Sequence, residues 1–302
     1  MRIPFTQTYT RTILGIQQHR EALDQLTAMA SSGRKLQKPA DEPSGWRQAM
    51  DHAKSLKQMA MFQENLEFAA AWNESSVQVL TGIADLVGKA NEIGIGALNL
   101  EGSQNLQGLV ASLDQSLRSA VQLANSRHGD RYLFGGRSAA TPFMLVEEGG
   151  EVVDVTYQGD NVTFQVRTGK DTQETVNASG EEVFADGVAP PDGGNLFQRL
   201  VALREAVASG DSEAIRDQLN ILADGASQLR RQIAAAGSRS ARLEMQKSLY
   251  ADLQLATENR LEALANVDAV AVITQLKERN TTLEAALRVT QYLSNLNLSQ
   301  LL

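Results

Sequence analysis

The chain has 302 residues, a formal charge of −8 and only 5% aromatic side chains, and a net acidic protein lacks the basic field with which nucleic-acid phosphates are neutralised. It contains no cysteine, which excludes disulfides and thiolate metal sites, and His19, His52 and His128 are too dispersed for ligand spacing. Residues 1–15 lack the apolar stretch of a secretory signal peptide and no run is long and apolar enough to cross a bilayer, which taken alone describes a soluble cytoplasmic protein.

The six prolines, Pro4, Pro39, Pro43, Pro142, Pro190 and Pro191, leave residues 44–141 and 192–302 free of any, and that permits long helices. A first helix is predicted over residues 6–30, with Tyr9, Ile13, Ile16, Leu23 and Leu26 as its apolar stripe. Ser31, Ser32 and Gly33 stop it, because glycine readily takes the left-handed conformation after a helix end. In the following connector Asp41 can cap the next helix, Glu42 complements its dipole, and Pro43 suits a first turn. That second helix runs to about residue 100, where Gly94, Gly96 and Gly102 weaken it. Its seam steps by three and four through Leu56, Met59, Gln63, Leu66, Ala70, Asn73, Val77, Leu80, Ala84 and Val87. Gln63 and Asn73 there read two ways: polar seam residues that set register, or the wetter edge of a drifting stripe. A third helix over residues 103–125 carries Leu106, Leu109, Leu113, Leu117, Val121 and Leu123.

Between residues 131 and 195 the period changes to two. Val153, Val155 and Tyr157, then Val162, Phe164 and Val166, alternate with polar residues as half-buried strands. Gly159-Asp160-Asn161 reads as a hairpin turn between them, Glu148-Gly149-Gly150 as another, and residues 187–195 as an exit linker. Helical pattern resumes over residues 196–209 and breaks at Gly210-Asp211-Ser212, where Asp211 or Ser212 caps a final helical region with few interruptions. Its seam holds Ile215, Leu219, Leu222, Ala226, Leu229, Ile233 and Ala236, then Leu243, Leu261 and Leu264, and its last part repeats Leu276, Leu283, Leu287, Leu293 and Leu296. Arg230, Arg231, Arg239, Arg242 and Lys247 belong to a solvated helix face.

No constellation of catalytic, cofactor-binding or metal-ligating residues emerges. Gly94-Ile95-Gly96 lacks the third glycine and the preceding strand of a nucleotide fold. The acidic pairs Asp41-Glu42, Glu147-Glu148 and Glu181-Glu182 sit at a helix start or in turns, where capping and solvation account for them. The expected fold is mainly α with an inserted β domain: an elongated bundle of long helices from both termini, with coiled-coil-like terminal helices.

The run Ala30-Ser31-Ser32-Gly33-Arg34-Lys35-Leu36 through Ala40-Asp41-Glu42-Pro43 resembles the signature after the first helix of the bacterial flagellin family. Met1-Arg2-Ile3-Pro4, Tyr9, Arg131-Tyr132-Leu133-Phe134-Gly135-Gly136 with Thr141-Pro142-Phe143, and Tyr157-Gln158-Gly159-Asp160 are similar to the family's junction proteins between hook and filament. The ending Leu296-Asn297-Leu298-Ser299-Gln300-Leu301-Leu302 departs from their usual aromatic ending, which leaves filament-forming flagellin as an alternative. An intracellular coiled-coil scaffold is a further reading, and an enzyme the weakest.

The resemblance implies a non-enzymatic structural adaptor without cofactors, in the extracellular flagellum. Export would follow the flagellar type III pathway with a dedicated chaperone and no cleaved signal. The implied partners are other hook-associated proteins, flagellin and further copies of the chain. Residues 1–40 with 265–302 are then the terminal assembly helices, 41–136 with 195–264 the bundle, and 137–194 the β insertion. The expected assembly residues are Ile13, Ile16, Leu23 and Leu26 facing Leu283, Leu287, Leu293 and Leu296, and the signature residues are Ser31, Ser32, Gly33, Asp41, Glu42 and Pro43.

Overall fold

A computed structural model describes residues 5–40, 42–99, 103–185 and 194–301. The helices, in chain order, are α1 (Phe5–Ser32), α2 (Pro43–Leu98), α3 (Ser103–Ala124), α4 (Gly180–Phe184), α5 (Leu196–Ser209), α6 (Ser212–Ala265) and α7 (Ala269–Leu301). The strands are β1 (Arg127–His128), β2 (Arg131–Tyr132), β3 (Phe143–Glu148), β4 (Glu151–Tyr157), β5 (Gln165–Arg167) and β6 (Gln173–Thr175). The chain is thus mainly α with an inserted β region. It divides into two compact units, Met1–Gln58 with Asp252–Leu302, and Met59–Ala251.

In the first unit α1 packs along α7. The final helical region is not continuous: it breaks after α6, where Asp268 Oδ1 accepts the N–H groups of Val270 (2.9 Å) and Ala271 (3.1 Å) and so caps α7. Asp41, Leu100, Gly102 and residues 187–193 lie outside the described residues.

The core of the second unit joins α2, α3, α5 and α6 through fully buried Leu66, Trp72, Ile83, Leu117, Leu203 and Leu229. Asn73 lies inside it, 1% exposed. Its Nδ2 donates to Ala236 O at 2.9 Å and to Ser240 Oγ at 2.6 Å, tying α2 to one register of α6. The seam is therefore polar at Asn73 by construction, whereas Gln63 is half-buried at its edge. Gly94 lies within α2, where an added Cβ would stand 2.7 Å from Leu219 Cδ2, so close helix packing explains this glycine. Asn195 caps α5 in a capping box with Gln198, Gly210 ends α5 at φ +71°, and Asp211, not Ser212, caps α6.

The strands form three separate antiparallel ribbons, β1 with β2, β3 with β4, and β5 with β6. Glu148 and Glu151 pair across Gly149-Gly150, so that turn is where the sequence predicts it. Gly159-Asp160-Asn161 is no hairpin turn, because β4 pairs backwards with β3 and β5 forwards with β6. The predicted alternation in β4 also fails. Pairing steps from Val146↔Asp154 to Glu147↔Val152, leaving Val153 as the extra residue of a bulge. A bulge resets the period of two, so Val152 and Val155 are both fully buried and Val153 is not.

Candidate assembly surface

The described signature residues, Ser31, Ser32, Gly33, Glu42 and Pro43, build the joint between α1 and α2. Gly33, at φ +67°, closes α1 by donating its N–H to Met29 O at 2.9 Å. The Ser32 hydroxyl donates to Ala28 O at 2.8 Å and accepts from Arg34 N–H (3.2 Å) and Gln37 Nε2 (3.3 Å), while the Ser31 hydroxyl donates to Ala28 O. The connector then pairs with the α6–α7 connector. Arg34 and Asn266 form an antiparallel bridge, Lys35 N–H donates to Ala265 O at 2.7 Å, and Val267 N–H to Gly33 O at 3.1 Å. Glu42 stands directly before Pro43, accepts Trp46 N–H at 2.9 Å on its carbonyl, and pairs its carboxylate with Lys35 Nζ at 3.0 Å. Beside this joint lies a groove of about 540 Å³ lined by Leu36, Trp46, Met50, Ala53, Leu261 and Ala265 among others.

The expected assembly residues lie on the paired helices. Ile16 is buried, Ile13, Leu23, Leu26 and Leu283 are half-buried, and Leu287 is 42% exposed. The side chains of Leu293 and Leu296, like that of Tyr9, lie outside those described. On α7 the inner side carries Val272, Leu276, Leu283 and Thr290, spaced by four, seven and seven. Val270, Ile273, Val289 and Tyr292 lie off that side and are 75%, 61%, 55% and 67% exposed. The leucine repeat expected for this helix does not include these four. Their signal was legible, since apolar residues on both sides of one helix outnumber what a single neighbour covers.

The other recognisable phrases meet in the second unit. Gly136 has φ +67° and sits against Asp160. Asp160 Oδ1 accepts the N–H groups of Arg137 (2.8 Å) and Val162 (3.0 Å), and Asp160 N–H donates to Gly135 O at 3.3 Å. The Tyr157 hydroxyl is shared between Phe134 O (2.9 Å) and Asp160 O (3.0 Å) and accepts from Gly180 N–H. Burial pushes the phenol pKa above its ordinary value, opposed by the Gly180 N–H. What the sequence shows as two phrases, residues 131–136 and 157–160, is one clasp.

Arg242 of the basic run pairs with Glu174 of β6 and Lys247 with Glu244 of its own helix, while Arg230 and Arg231 are exposed. Among the described residues no three His, Asp or Glu side chains are placed to hold a metal ion, and no helix is long and apolar enough to cross a membrane.

No family model matches the chain. Over 324 aligned residues it is 26% identical to flagellar hook-associated protein 3 of Escherichia coli and 25% identical to that of Salmonella typhimurium, covering 100% of this chain and 99% of each relative. Among solved structures it resembles FlgL of Bacillus cereus (TM-score 0.58, 23% identity, 69% of this chain and 97% of that one). It also resembles FlgL of Xanthomonas campestris (0.60, 15%, 70% and 99%) and the flagellar junction protein FlgL of Legionella pneumophila (0.56, 14%, 72% and 100%). These structures are alike in fold.

Proposed function

We propose that this chain is a structural adaptor of the bacterial flagellum that joins hook-associated proteins to the flagellin filament by subunit packing. The observation that carries this reading is the alignment with flagellar hook-associated protein 3, which runs the whole length of both chains. The surface supports it: a hydrogen-bonded joint holds two paired terminal helices whose Leu14, Val270, Ile273, Leu287, Val289 and Tyr292 face solvent. Five of these are aliphatic, and because each is only 42–75% exposed, covering the rest contributes roughly 1–2 kcal/mol apiece. Neighbouring copies, a hook-associated protein on one side and flagellin on the other supply that cover. Ile13, Ile16, Leu23 and Leu26 work there with Leu283, Leu287, Leu293 and Leu296. The role is non-enzymatic. The terminal helices form one part, the bundle a second and residues 137–194 a third, and the chain reaches the flagellum by chaperone-assisted type III export.

Immunogold labelling of isolated flagella tests this. Label is expected only at the hook–filament boundary, and label along the filament would overturn the reading in favour of flagellin. Deleting residues 283–302 should leave the second unit folded and abolish filament growth. Growth from the truncated protein would sink the terminal-helix mechanism.

A further inference from the structure

A two-stranded ribbon has two edges, and each unpaired edge is a template for another chain's strand. On β3, Phe143 directs both backbone groups away from β4, and Asn125 at the end of α3 meets them with its carboxamide. Asn125 Nδ2 donates to Phe143 O at 2.8 Å and Oδ1 accepts Phe143 N–H at 2.9 Å, as a peptide group of an added strand would do. The outer edge of β4 is closed by two groups: Asn195 Nδ2 donates to Val155 O (2.9 Å), and Val155 N–H donates to the neighbouring Asp154 Oδ1 (2.8 Å). On β5, Asn65 of α2 donates to the outward Arg167 O at 2.7 Å. Three asparagines from helices or their caps thus reach three strand edges. The need is greatest at β3, where Met144 and Val146 are 53% and 40% exposed.

We propose that Asn65, Asn125 and Asn195 plug the strand edges against a second copy of this chain, so that self-association is confined to helical surfaces. This does not rest on the flagellar role. At Asn125 it explains why the residue is an amide, which both donates and accepts at the edge; Asn65 and Asn195 supply the donor alone.

The test is Asn125→Ala in the full chain, followed by sedimentation over a range of concentrations and infrared spectra for intermolecular strand pairing. The variant should self-associate at least tenfold more tightly than the wild type, with new strand signal. Adding Leu145→Pro should reverse this, because Leu145, two residues on, presents its N–H along the same edge. A folded Asn125→Ala chain that associates no more than the wild type overturns the proposal. Should that variant not fold, the wild type still decides. A synthetic peptide of the 151–157 sequence should not bind it, and peptide-dependent protection of the Leu145 amide from hydrogen exchange would refute the plugs.

Discussion

Replacing Gly136 with alanine measures what the clasp contributes. An L-residue at φ +67° costs about 1–2 kcal/mol. The new Cβ would also stand 2.9 Å from the Asp160 carbonyl carbon and closer still to its O and Oδ1, so the Asp160 loop must move. Four hydrogen bonds hold that loop, to Arg137, Val162, Gly135 and Tyr157. Losing two or three of them, at roughly 0.5–1.5 kcal/mol each, brings the expected cost to about 2–6 kcal/mol. Gly129→Ala is the control, because Gly129 has φ +59° and no atom of the described residues within 4 Å of an added Cβ; it should show the conformational cost alone. The chain has two tryptophans, so in a Trp46→Phe background buried Trp72 reports urea unfolding of the second unit. A midpoint shift at unchanged slope gives the free energy. If Gly136→Ala costs no more than Gly129→Ala, the clasp is not what holds the Asp160 loop in place.

In the same assay Asn73→Ala should change stability by no more than about 1 kcal/mol. It loses two donated bonds, roughly 1–3 kcal/mol, but also removes a buried Oδ1 that has no partner among the described residues, a penalty of similar size. A loss beyond about 3 kcal/mol would refute that balance. Tyr157 makes an alkaline prediction. Its folded pKa lies above the ordinary tyrosine value near 10, so its contribution is complete below that pH and is lost as pH rises through the folded value. Tyr157→Phe should therefore flatten the fall in urea midpoint between about pH 8 and about pH 11, though part of the slope remains with Tyr250, whose pKa burial also raises. An unchanged slope would contradict the sign.

Helices and their ends were legible in the sequence because their causes are local. A seam of Leu, Ala and Val at steps of three and four, Gly33 and Gly210 after helix ends, and Asp211 before one act within a turn of their own positions. The Gly149-Gly150 turn was legible for the same reason. Strand partners were not. Val153, Val155 and Tyr157 alternate correctly for a strand, yet a single extra residue in the pairing of β4 with β3 moves burial from Val153 to Val152. Pairing depends on residues far apart in the chain, which no local pattern contains.

The candidate surface divides along the same line. Residues 31–33, 42 and 43 are part of the run that carried the resemblance, and each has a local job at a helix end. The chain alone also determined that the apolar terminal helices needed cover. Only the tertiary structure decided that Gly33 and Lys35 would meet Ala265 and Val267, that Gly136 would be held against Asp160, and that asparagines would close the strand edges. The physical reason is that a hydrogen bond needs its partner within about 3 Å, and residues distant in sequence come that close only when the helices and strands between them have folded and packed.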